Sequence, residues 1–221
     1  NLTASIKQNV FNMKARNFNS SLESTLFNGD VPVSMFHNLL NIFQKNLPMW
    51  HKYWRIRRKA LGVKVLHPYD VWAPLNTKKH KVPFETAVDW ICEGLAPMGD
   101  EYVNTMRKGC LEDRWVDWSP NAGKREGAFS TRVPSDTHPF IMMSYTDDVG
   151  SMSTLSHELG HSIHAYYASR AQPSIYYLYP SIIAETASNF NQAMTRAHLL
   201  KTKQDKSFQI ALLEEAMGNF H

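Results

Sequence analysis

At 221 residues, 43% hydrophobic and 12% aromatic, the chain has enough apolar material for a substantial core and reads as globular rather than disordered. The balance of 24 basic against 20 acidic residues gives +4 with histidines neutral, a charge too mild and too scattered to argue for nucleic acid. Two cysteines, Cys92 and Cys110, are too few for a disulfide framework or a cysteine-based zinc cluster, and no run of about 18 apolar residues offers a membrane span.

In chain order, the first strong pattern is at 33–61, where Met35, Leu39, Ile42, Phe43, Leu47 and Trp50 recur at helical spacing. Pro32 suits the helix start, Gly62 its stop, and Pro48 is expected to kink the run rather than end it. A short extended connection is expected at 68–74. Lys78, Lys79, His80 and Lys81 then read as a solvated loop rather than a polyanion site. Two helices follow, at 84–95 and 98–110, split at Pro97. The cysteines fall in them and are expected to be reduced and half-buried.

At Trp115 the composition shifts to short extended runs and turns. The apolar run 140–145, bounded by His138-Pro139 and by Asp147-Asp148, predicts a strand. Helices are predicted at 151–170 and 180–200, and a last helical pattern at 210–220 has no stop signal. With no initiating Met either, the chain is expected to be a segment of a longer protein. These elements predict a mainly α fold with a small β-sheet (α+β).

His157-Glu158-Leu159-Gly160-His161 is an H-E-x-x-H motif within the 151–170 helix. Four residues advance a helix by about 6 Å and slightly more than one turn, so both imidazoles leave one face and can grip one ion. Glu158, one position round, is placed to touch a water on the metal and act as general base. Leu155, Leu159 and Ile163 supply a separate apolar stripe, so the helix does not need the histidines for its core.

Catalytic zinc normally takes a third protein ligand. His164 lies seven residues beyond His157, about 10 Å along the axis, too far to share the ion. It is expected instead to neighbour the site or contact substrate. The metzincin pattern would want Gly at 164 and His at 167, where this chain has His164 and Tyr167. Glu185, on the next helix among Ile183, Ala184 and Ala187, is a better candidate, on the ground that a buried acid needs a cationic partner. An ordinary ion pair between Glu185 and Arg196 is the bland alternative, and Glu214, Glu215 and His198 remain weaker ligand candidates. The strand Phe140-Ile141-Met142 precedes the metal helix closely, so its edge could pair with a peptide backbone; a plain core strand is the competing reading.

The segments 66–75, Arg114-Trp115-Val116-Asp117, Gly127-Ala128-Phe129-Ser130 and Pro139-Phe140-Ile141-Met142-Met143, with His157 to His164 and then Ala184-Glu185-Thr186-Ala187-Ser188, resemble the oligoendopeptidase F group of the thimet oligopeptidase family of zinc peptidases. The resemblance runs from about residue 17 onward. It implies Zn2+ held by His157, His161 and Glu185, with Glu158 as the base, in a zincin-like helical catalytic domain. It also implies a channel admitting short unfolded peptides, with Gly127, Ala128, Phe140, Ile141, Met142 and His164 on the substrate side. Residues 1–30 would be the remnant of an N-terminal helical domain. Residues 31–221 would be the catalytic domain, incomplete at its C-terminus, where family members carry a Tyr and a His that stabilise the oxyanion.

The function expected is a cytoplasmic zinc endopeptidase of short oligopeptides, without nucleic-acid or membrane partners and with homo-oligomerisation left open. The alternatives are a non-catalytic peptide-binding relative, and a zinc hydrolase of another substrate class.

Overall fold

The computed structural model describes residues 1–76, 78–131 and 137–218, and the chain divides into two compact units, Asn1–Ala73 and Pro74–His221. The first unit holds α1 (Leu2–Ala15), α2 (Ser21–Phe27) and α3 (Val33–Leu61). Ser20 caps α2 by accepting from the Glu23 N–H at 3.0 Å, while the Glu23 carboxylate accepts from the Asn19 N–H at 2.9 Å. α3 begins after Pro32, continues through Pro48 and stops at Gly62, as its sequence predicts. The extended connection expected at 68–74 is instead a 3-10 turn over Pro68–Trp72. Asp70 closes it by accepting from the His67 N–H at 2.7 Å, and the buried Arg57 guanidinium donates to the carbonyls of Asp70 and Ala73. α3, read above with the catalytic part, thus lies in the first compact unit.

The second unit runs α4 (Phe84–Gly94), α5 (Asp100–Leu111), β1 (Val116–Asp117), β2 (Phe129–Thr131), β3 (Phe140–Met142), α6 (Val149–Ala171), α7 (Ser181–Thr202) and α8 (Lys206–Gly218). A 3-10 turn at Ala96–Met98, around Pro97, separates α4 from α5. The expected end of α8 at 219–220 lies outside the described residues. Leu155, Leu159 and Ile163 of α6 are at most 1% exposed and belong to one core with Ile91, Leu95, Met106, Ile141 and Leu199. Each such side chain contributes about 1.5–3 kcal/mol by leaving water. Cys92 and Cys110 are free thiols as expected, yet fully buried rather than half-buried. Burial pushes both thiols above the ordinary cysteine value, consistent with packing residues. No helix among the described residues is long and apolar enough to cross a membrane.

The sheet has strand order β1-β3-β2. β1 runs parallel to β3, with Val116 opposite Ile141, and β2 runs antiparallel to it, with Ser130 opposite Ile141. The strand expected at 140–145 is regular only to Met142. Its continuation still follows the β1 side, through Met143 N–H to Asp117 O at 3.0 Å and Tyr145 N–H to Trp118 O at 2.9 Å. The Tyr145 hydroxyl then donates to Val82 O at 2.8 Å, tying the sheet to the start of α4.

α6 starts before Ser151 because Asp148 caps it, accepting from the Ser151 N–H and the Thr146 hydroxyl at 2.7 Å each. Partial desolvation works against its charge, but bonds from Ser151, Thr146 and Gly150 prevail and hold the carboxyl below the usual range. Asp148→Ala is expected to cost about 1 kcal/mol in urea denaturation near neutral pH. A depressed folded-state value stabilises above the unfolded pKa of about 3.9 and is lost as pH falls through the folded one. The gap between the two proteins should therefore close in acid.

α6 and α7 form the antiparallel pair that carries the site. Ser156 and Thr195 hydroxyls meet at 3.0 Å, Ser153 lies opposite Gln192, and Gly160 lies opposite Ser188. At Gly160 a β-carbon would sit 2.6 Å from Ser188 Cα and 2.7 Å from the Ala187 carbonyl oxygen, so only glycine permits this approach.

Candidate metal centre

His157 and His161 leave α6 one turn apart, and Glu185 meets them from the first turns of α7. Glu185 Oε2 lies 3.3 Å from His157 Nε2 and 3.6 Å from His161 Nε2, and one donor atom from each of the three residues falls within 4.8 Å of the others. Two atoms bound at about 2.0–2.1 Å to one tetrahedral ion lie about 3.3 Å apart. A set of two imidazoles and one carboxylate at this spacing therefore fits zinc.

Glu185 is not buried as its small and apolar sequence neighbours suggest. Its side chain is 52% exposed, so it is no buried acid needing a partner. Buried Ala184 and Ser188 anchor the helix on either side and leave the carboxylate facing the histidines. The alternatives are placed elsewhere. Arg196 pairs with Glu215 at 3.3 Å, Glu214 accepts from the Leu75 N–H at 2.8 Å, and His198 lies 3.3 Å from Glu93. His164 does not join the three. Its ring stacks on Tyr179 at 3.8 Å and lines an apolar cavity of about 390 Å³ with Tyr102, Ile163, Ile183 and Phe190.

Glu158 is 6% exposed. Burial raises its carboxyl above the ordinary value and the Glu185 charge adds to this, while His157 and a hydrogen bond from the Ser130 backbone pull the other way. That bond, and the Ser130 hydroxyl 2.8 Å from the Ser162 hydroxyl, set β2 along α6. Gly127, with φ of +91°, turns the chain into this strand through a conformation that side chains rarely adopt, and Ala128 follows it half-buried.

The edge expected of Phe140, Ile141 and Met142 is not there, because β3 is the central strand and is paired on both sides. Ile141 is 2% exposed and belongs to the core, Met142 is half-buried, and Phe140 packs its exposed ring on His138 at 4.4 Å. Beyond Gly127 and Ala128, the side of β2 away from β3, on which the Ser130 backbone meets Glu158, is the edge of the sheet among the described residues.

Two residues that sequence reasoning missed complete the surroundings of His157. Gln192 Oε1 lies 2.9 Å from His157 Nδ1, and Gln192 Nε2 donates to Ser153 Oγ at 2.9 Å. Helical spacing carried the signal: Gln192 follows Glu185 by two turns, and Ser153 precedes His157 by one. A separate cavity of about 750 Å³ is lined by Lys78, Lys81, Asp147 and Asp148, among others, and contains none of these residues. The loop beside it is exposed at its lysines, as expected, and tied down by Lys78 to Asp205 at 2.7 Å and Lys81 to Asp147 at 3.5 Å.

An H-E-x-x-H helix, a carboxylate on its antiparallel partner and a small sheet alongside make a mainly helical, zincin-like domain. The family model for peptidase family M3 matches residues 1–221, and the chain belongs to that family. It is 36% identical over 220 residues to oligopeptidase PepF of Bacillus subtilis, covering 99% of this chain and 32% of the relative. It is 34% identical over 225 residues to an oligoendopeptidase F homolog of Borreliella burgdorferi, covering 99% and 38%. Among solved structures, one from Chlamydophila abortus matches with TM-score 0.84 at 35% identity, over 99% of this chain and 36% of the other. Oligoendopeptidase-F from Enterococcus faecium matches with TM-score 0.62 at 26% identity, over 97% and 30%. The chain thus spans about a third of the length of the curated relatives it matches.

Proposed function

We propose that this chain carries the metal-binding and proton-transfer half of a zinc endopeptidase acting on short oligopeptides. The observation that carries the reading is the meeting of His157, His161 and Glu185 with the buried Glu158 one residue from the first ligand. His157, His161 and Glu185 would hold the zinc ion, which when bound would supply an activated water and polarise the scissile carbonyl. Glu158, its proton affinity raised by burial, takes the proton of the attacking water and returns it to the leaving amine. The outer edge of β2, with Gly127 and Ala128, binds the substrate backbone by adding a strand, which tolerates many sequences. His164 contributes through the apolar cavity it lines and not through the metal.

The test is metal removal from the full-length protein. Dialysis against a chelator is expected to abolish hydrolysis of a quenched fluorescent oligopeptide, and about one equivalent of Zn2+ should restore it. Turnover indifferent to chelation would overturn the reading. Tight peptide binding without product, metal present, would mark a peptide-binding relative instead.

A further inference from the structure

Behind His157 a chain of buried polar groups crosses from α6 to α7, back to α6 and on to α8. Arg196 Nη2 donates to Glu215 Oε2 at 3.3 Å, and Ser153 Oγ donates to Glu215 Oε1 at 2.5 Å. Gln192 Nε2 donates to Ser153 Oγ at 2.9 Å, and Gln192 Oε1 faces His157 Nδ1 at 2.9 Å. Ser153 and Gln192 are each 7% exposed, and the Arg196 and Glu215 side chains 18% and 14%.

The donors in this chain can run in one direction only. A carboxylate beside a guanidinium accepts, so the one Ser153 proton goes to Glu215. The Ser153 oxygen is then an acceptor, which turns the Gln192 NH2 toward it and the Gln192 oxygen toward the imidazole. An oxygen facing Nδ1 requires a proton there, so in the neutral ring Nε2 is the atom without one, directed to where His161 and Glu185 converge, with Glu185 Oε2 3.3 Å away.

We infer that Gln192 is a positioning residue: Glu215, acting through Ser153, orients its amide, and the amide holds His157 as the Nδ1–H tautomer with Nε2 presented to the metal. The inference rests on the reading of His157 as a ligand. It gives α8, remote in sequence from the motif, a part in setting metal affinity. Glu215, which the sequence offered as an alternative ligand, acts at the far end of the chain.

The tautomer is readable without metal. In the metal-free full-length protein labelled with 15N-histidine, at about pH 8 where imidazole is neutral, long-range 1H–15N spectra should show His157 as Nδ1–H. Gln192→Leu is expected to lose that tautomer and to weaken Zn2+ binding about 10–100-fold in competition with a fluorescent chelator. Gln192→Glu keeps an acceptor at the same place and should retain both. Circular dichroism of each variant separates these effects from unfolding. An Nε2–H tautomer in the wild type, or wild-type zinc affinity in folded Gln192→Leu, would overturn the inference. A wild type that shows Nδ1–H, loses it in Gln192→Leu and binds no zinc would support the hydrogen-bond chain and overturn the metal reading alone.

Discussion

Glu158→Gln is expected to lower kcat on an oligopeptide by about 10²–10⁴ while bound zinc stays at the wild-type level. The substitution keeps shape and removes only the capacity to accept a proton. The two candidate ligands on the same helix, His157 and His161, leave it one position behind and three ahead, so the candidate set stays intact. The variant should also fold at least as stably as the metal-free wild type. A carboxyl raised by burial holds more protons folded than unfolded, so ionising it as pH rises works against the fold, and an amide has no such cost. Comparing kcat, zinc content and urea midpoints separates chemistry from structure. Equal turnover by wild type and variant would remove Glu158 from the mechanism.

The second large effect is expected from a single methyl group. In Gly160→Ala the new carbon meets backbone atoms of α7, Ser188 Cα at 2.6 Å and the Ala187 oxygen at 2.7 Å, which cannot rotate away as a side chain would. Alanine favours a helix by about 1 kcal/mol over glycine, yet overpacking a close backbone contact costs about 1–3 kcal/mol and occasionally more. The clash wins because one helix must move bodily. Glu185 lies one turn before Ser188 and moves with it, away from His157 and His161. We expect a lower urea midpoint together with weaker zinc binding in the same variant. A protein unchanged in both would show that the helix pair can absorb the separation.

Much of this was legible in the chain itself, for identifiable reasons. α3, α4, α6 and α7 were readable because their apolar residues repeat at helical spacing between Pro and Gly stops. The pair of histidines was readable because one helix sets their geometry alone. Glu185 does lie beside the two histidines, but not for the reason its sequence suggests: burial depends on which face of α7 meets which neighbour, and local composition around 185 does not encode it. The sheet was the weakest reading. Strands of two or three residues carry almost no periodicity, and nothing within Phe140–Met142 says that partners lie on both sides, since one of them, β1, comes from much earlier in the chain. Gln192 and Ser153 were missed because their meaning lies in hydrogen-bond direction across two helices, which spacing can suggest but not select. Pro68–Trp72 was misread because a Pro followed by a carboxylate two positions later closes a turn as readily as it extends a chain.

The close packing at Gly160 has a consequence for how the molecule comes together. His157, Glu158, His161 and Glu185 all lie on one helical hairpin, α6 and α7, joined by the connection 172–180. Closing a loop of that length costs little entropy, and the cost grows only with the logarithm of length. These four side chains can therefore reach their final spacing as soon as α6 and α7 dock. Their assembly is a local event, even where the curated relatives that match are about three times as long as this chain.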